Sequence, residues 1–114
     1  MRRHLDIESL RALVGIVDLG GFSAAAQQLG RTQSAVSLQL KRLEETLGQT
    51  LVQRSQGRVD GVTAEGAAML AYARQILRLN DEACAAVGRD EAIGSLHVGL
   101  PEELMESVFP AAMA

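Results

Sequence analysis

Apolar positions recur at helical spacing through most of the chain. Leu10, Leu13, Val14 and Val17 fall at steps of three, one and three, forming one stripe of a helix with Asp6 as its N-cap and Glu8 in its first turn. Gly20 and Gly21 end it. Ser23 is placed to cap a short Ala-rich helix over 24–29, which Gly30 stops. Thr32 caps a longer helix over 33–47, where Val36, Leu40, Leu43 and Leu47 form a core-facing stripe. The opposite side carries Gln33, Ser34, Ser37, Leu38 and Lys41, which is too sparing in charge for a simply solvated face and suits contact with another surface. Two short segments, 51–54 and 58–62, flank Ser55, Gln56 and Gly57 and predict a small hairpin with Arg54 and Arg58 near its tip.

Thr63, followed by Glu65, predicts the start of a long helix over 64–87. Its seam is heptad-like: Leu70, Ala73, Leu77, Asn80, Cys84 and Val87 alternate at steps of three and four, widened by Met69, Ile76 and Ala83. A helix of about seven turns cannot bury such a stripe within so small a domain, so its expected partner is a second copy, with Asn80 as a register-setting polar contact. Beyond Gly88, a charged linker leads to a strand pattern at Leu96, Val98 and Leu100, closed by Pro101, and then to a helix opening at Glu102 and Glu103. That tail reads as a truncated start of an α/β domain.

Composition narrows the possibilities. A chain of 114 residues that is 47% apolar and 22% charged has the balance of one packed domain with a fragment of another, and has no room for a large multidomain enzyme. Aromatics make up 3%, too few for a platform that stacks single-stranded bases. The single cysteine, Cys84, leaves no internal disulfide and no thiolate-rich zinc site; His4 and His97 have no ligand spacing, so no metal site is expected. No apolar run is long enough to span a membrane, and Asp6, Glu8 and Arg11 interrupt any signal-peptide core, so a cytoplasmic location is expected. The net charge of -3 hides an asymmetry: residues 1–58 hold eight Arg/Lys against five Asp/Glu, and 59–114 hold three against nine. A basic front half is compatible with a phosphate-facing surface.

The segment FSAAAQQLGRTQSAVSLQLKRLEETL, 22–47, obeys the packing of a helix-turn-helix. Two helices meeting steeply require a small residue on the first (Ala26), a glycine to turn the chain (Gly30) and an apolar plug on the second (Val36). No nucleophile with a base, carboxylate pair or phosphate loop is visible, and Ser37 with Lys41 one turn on lacks an oxyanion hole, so no enzyme is expected.

With its flanks, this segment resembles the N-terminal DNA-binding domain of LysR-type transcriptional regulators. The marks are GGFSAAAQQLGRTQSAVSLQLKRLEETLG, then LVQR, then VTAEGAAML and ARQIL, within residues 5–88. GSLHVGLP at 94–101 is similar to the opening of the family's effector domain. The resemblance implies a mainly α fold: a winged helix-turn-helix over 1–63 with a small β-hairpin wing, a linker and dimerisation helix over 64–88, and over 89–114 a hinge with the truncated start of an effector-binding α/β domain. It further implies homodimers bound to double-stranded DNA at an interrupted inverted repeat. In the full-length protein it implies a small-molecule effector and contact with RNA polymerase; this fragment is expected to hold no cofactor.

Position by position, the resemblance assigns Gln33, Ser34, Ser37 and Leu38 to the major groove. Glutamine can address adenine or guanine, and an exposed leucine can touch a thymine methyl but cannot read guanine. Ser23 and Thr32, at helix N-termini, and Lys41 are the expected phosphate contacts. Arg54 matches the family's wing arginine, and Arg58 lies across the hairpin, so one of the two is expected in the minor groove. Val52 stands where the family usually has phenylalanine. Two alternatives stay open on the sequence: a winged-helix regulator of the molybdate-responsive type, and a protein-interaction module built on the long helix.

Overall fold

The computed structural model describes residues 3–56 and 58–88; the expected linker, strand and helix of the tail lie outside the described residues. The elements in order are α1 (Ile7–Leu19), α2 (Phe22–Leu29), α3 (Gln33–Leu47), β1 (Val52–Ser55), β2 (Arg58–Val62) and α4 (Ala64–Val87). By packing, the chain divides into units Met1–Leu79 and Asn80–Ala114.

Within the first unit, α1, α2 and α3 close on one another around Leu10, Leu13 and Ile16 of α1, Ala25 and Ala26 of α2, and Val36, Leu40 and Leu43 of α3. Each large aliphatic side chain so buried contributes about 1.5–3 kcal/mol relative to exposure, enough to fix the rotation of each short helix about its axis. The turn between α2 and α3 follows the expected triple. Ala26 and Val36 are buried, and Gly30 adopts φ 68°, a left-handed conformation that a β-carbon would strain.

Two caps differ from expectation. The second helix begins at Phe22 with Gly21 as N-cap, so Ser23 lies inside its first turn rather than capping it. The cause is Phe22, 3% exposed, whose ring belongs to the core and draws the chain into helix two residues earlier. Asp6 occupies the N-cap position of α1 but makes no side-chain cap bond. Its Oδ2 lies 3.1 Å from the Oγ of Ser9, a buried hydroxyl that also sits 2.8 Å from Gln39 Oε1 and so ties α1 to α3. Thr32 caps α3 as expected, accepting from Ala35 N at 3.0 Å.

The hairpin is antiparallel, with a register shift between Gln53 and Arg54. Its second strand also reaches the α1–α2 turn through a bridge between Gly21 and Arg58. Thr63 seats α4 with one hydroxyl, which donates to Thr50 O at 2.6 Å and accepts from Gly66 N at 2.9 Å. Gly66 is required by close approach: a β-carbon there would overlap the carbonyl of Leu51. Arg74 of α4 makes a two-pronged pair with Asp18 of α1 at 2.6 and 3.1 Å, and the arginine's hydrogen bonds hold the Asp18 carboxyl below the usual carboxylate range.

Ala73, placed on the dimer seam from its heptad position, is 0% exposed within its own unit, and Leu70 and Leu77 are half-buried against the same core. Met69, Leu70, Ala73, Ile76 and Leu77 therefore place that stripe against the core of the chain's own first unit. Tyr72 and Leu79 stand exposed instead, at 63% and 57%. In the second unit, the Asn80 amide donates to Asp81 Oδ1 at 3.2 Å, and Cys84 and Val87 are exposed.

Candidate nucleic-acid interface

The apolar stripe of α3 fixes what its other side presents. With Val36, Leu40 and Leu43 turned inward, Gln33, Ser34, Leu38 and Lys41 are exposed and Ser37 is half-buried. All five line one open concavity, so the structure brings together the five residues that the sequence placed on a shared face. Leu38 is 49% exposed, an apolar group in a polar row with no partner in its own domain.

Ser23 and Thr32 sit beside this face, but both hydroxyls are engaged. Ser23 Oγ donates to Gln33 Oε1 at 2.9 Å, and Thr32 Oγ1 serves as the α3 cap. The first backbone N–H groups of α3 have no partner within the helix and, with the positive end of its dipole, form an anion-attracting edge next to the row.

The hairpin is fastened to α3 by a residue that the sequence did not single out. Glu44 Oε2 accepts from Leu51 N at 2.9 Å and from Val52 N at 3.4 Å, while Oε1 accepts from Arg54 Nη2 at 3.1 Å. Arg54 in turn lies over the Phe22 ring, 5.3 Å from its centroid. Arg54 is thus a strut joining α2, α3 and β1. Lys41 and Arg58, in contrast, have no ion-pair partner among the described residues. The signal that could have found Glu44 is its position: it follows the buried Leu43 on α3, seven residues before Leu51, whose N–H at the entry to β1 needs an acceptor.

Among the described residues, no group of three or more His, Cys, Asp or Glu could hold a metal ion, and no helix is long and apolar enough to cross a membrane.

Three packed helices, a hairpin against the third and a long trailing helix define a winged helix-turn-helix module. Residues 7–67 match the model of the bacterial regulatory helix-turn-helix proteins of the lysR family, and the chain belongs to that family. Membership sets aside the molybdate-responsive alternative. It is 42% identical over 107 residues to the HTH-type transcriptional regulator PecT of Dickeya dadantii, covering 94% of this chain and 34% of PecT. To DgdR of Burkholderia cepacia it is 41% identical over 108 residues, covering 95% of this chain and 36% of DgdR. The chain thus spans about a third of the length of these relatives. Among solved structures, it is similar to the DNA-binding domain of CbnR in complex with DNA (TM-score 0.63, 33% identity, 71% of this chain and 97% of that one). It is also similar to the BenM DNA-binding domain on benA site 1 DNA (TM-score 0.66, 32% identity, 74% of this chain and 93% of that one).

Proposed function

We propose that this chain binds double-stranded DNA sequence-specifically as a homodimer, with α3 in the major groove and the hairpin at the minor groove of an interrupted inverted repeat. The observation that carries this reading is the exposed row Gln33, Ser34, Ser37, Leu38 and Lys41, held outward by the buried stripe behind it. The major groove, about 12 Å wide, admits a helix carrying such side chains. The likeness to two DNA-binding domains solved on DNA supports the same reading.

Within it, Gln33 and Leu38 contact base edges, Leu38 against a thymine methyl, with Ser34 and Ser37 between them. Lys41 meets phosphate. Arg58 is the wing cation free to enter a narrow minor groove, whereas Arg54 is committed to Glu44 and Phe22. One such domain makes few base contacts, so useful affinity needs two domains held together. Tyr72 and Leu79 support that: they lie seven residues apart, hence on one side of α4, and are exposed. A second copy that covers them gains the burial of two large side chains.

The test is selection of bound sequences from random duplexes with the 114-residue chain, followed by titration at several salt concentrations. The expected result is two half-sites related by an inverted repeat, with affinity falling steeply as salt rises through counterion release. Binding unaffected by Gln33→Ala and Arg58→Ala would favour the protein-interaction reading, and a monomer indifferent to duplexes at low ionic strength would refute the proposal.

A further inference from the structure

Ser23 and Gln33 come from different helices, yet their side chains meet on the exposed edge of the α3 row, with Ser23 Oγ donating to Gln33 Oε1 at 2.9 Å. A serine hydroxyl could pair with either end of a glutamine amide, so the orientation needs a cause. Ser23 lies in the first turn of α2, where unpaired backbone N–H groups and the positive end of the helix dipole gather. Beside that edge the carbonyl oxygen is the favoured end of the amide, and the NH2 group is left facing away.

This orientation bears on base choice. A glutamine with both ends free pairs with adenine by accepting from N6 and donating to N7. With its carbonyl turned toward α2 and one lone pair taken by Ser23, the same side chain presents its NH2 donors to the groove, which match the adjacent acceptors O6 and N7 of guanine and leave the adenine N6 donor without a well-placed partner. We propose that Ser23 is a positioning residue for specificity, holding the Gln33 amide so that it reads guanine in preference to adenine. The proposal rests on the DNA-binding reading above and goes beyond it by giving one hydroxyl a role in base choice, in place of the phosphate contact expected from the sequence.

The experiment compares wild type, Ser23→Ala, Ser23→Thr and Gln33→Ala by selection from random duplexes, then measures affinity for the selected site and for its G-to-A exchange at the position whose preference Gln33→Ala abolishes. Wild type is expected to prefer guanine there. Loss of one hydrogen bond that fixes an orientation corresponds to about a fivefold change. Ser23→Ala should lower the guanine-to-adenine ratio by about that factor at this position alone, and Ser23→Thr, which keeps the hydroxyl, should restore it to within about twofold. Adenine preferred by wild type, or a ratio unchanged in Ser23→Ala, overturns the proposal while leaving the DNA-binding reading intact. Uniform weakening on all sequences with a shallower salt dependence also overturns it, since that is the mark of a phosphate contact. If Gln33→Ala alters no base preference, the assignment of Gln33 to base reading fails, and this proposal with it.

Discussion

Replacing Glu44 with alanine should loosen the hairpin and destabilise the domain well beyond what a surface charge would suggest. The Glu44 side chain is 13% exposed, and its carboxylate is the acceptor for the N–H of Leu51, a residue 1% exposed. Orphaning a buried donor costs about 2 kcal/mol. The longer contact to Val52 N and the ion pair to Arg54, whose side chain is 35% exposed, add less; together they contribute about 1 kcal/mol. For a domain of this size each kcal/mol moves the melting temperature by about 4–8 °C, so Glu44→Ala should lower it by about 12–24 °C. Arg54→Ala, which removes only the exposed pair and the contact with Phe22, should lower it by about 4 °C. Glu44→Gln keeps one acceptor oxygen and should fall between. The assay is thermal unfolding followed by circular dichroism at fixed chain concentration, since the proposed dimerisation makes the midpoint concentration-dependent. If Glu44→Ala and Arg54→Ala melt within a few degrees of each other, the backbone bonds to Glu44 are not what holds the hairpin.

Lys41→Ala should weaken binding evenly across duplex sequences and reduce the slope of log affinity against log salt by about one, measured by fluorescence anisotropy; a change in base preference would contradict a phosphate role. Gly66→Ala should cost about 3 kcal/mol in unfolding experiments, because its β-carbon meets backbone at Leu51, which cannot move aside as a side chain can. The pair of Asp18 and Arg74 makes stability depend on acid: the folded-state pKa of Asp18 is lowered, so the contribution is present above about pH 4 and is lost as the pH falls through the folded value. The difference in melting temperature between wild type and Arg74→Ala should therefore shrink from pH 6 to pH 3, and a constant difference would show that the pair contributes nothing through charge. Tyr72→Asp combined with Leu79→Asp should shift the chain from dimer to monomer in analytical ultracentrifugation, whereas Ala73→Asp should unfold the domain, since Ala73 is interior.

The contrast between Tyr72 and Ala73 shows where the sequence stops being legible. Elements with local punctuation are readable from it: Thr32 and Thr63 carry their own hydroxyl caps, Gly30 and Gly48 take left-handed turns, and the stripe Val36, Leu40 and Leu43 has one burial partner, so its outward face follows by elimination. Contacts between elements are not punctuated. Nothing near Glu44 in the chain shows that its carboxylate will meet the N–H groups of Leu51 and Val52, seven and eight residues later, or that Arg54 will be drawn back over Phe22 while Arg58 has no ion-pair partner among the described residues. In α4, periodicity reports how apolar positions are spaced but not which surface covers them. A helix that packs on its own domain and also serves a second copy needs two apolar sides, and the stronger one, Leu70, Ala73 and Leu77, goes to the surface that is always present. In the proposed dimer, association with another chain is then left to Tyr72 and Leu79, whose exposure is tolerable in a monomer. On the proposed reading, a chain built this way folds before it dimerises, so the exposed α3 face is formed in the single chain and dimerisation adds the second half-site rather than the fold.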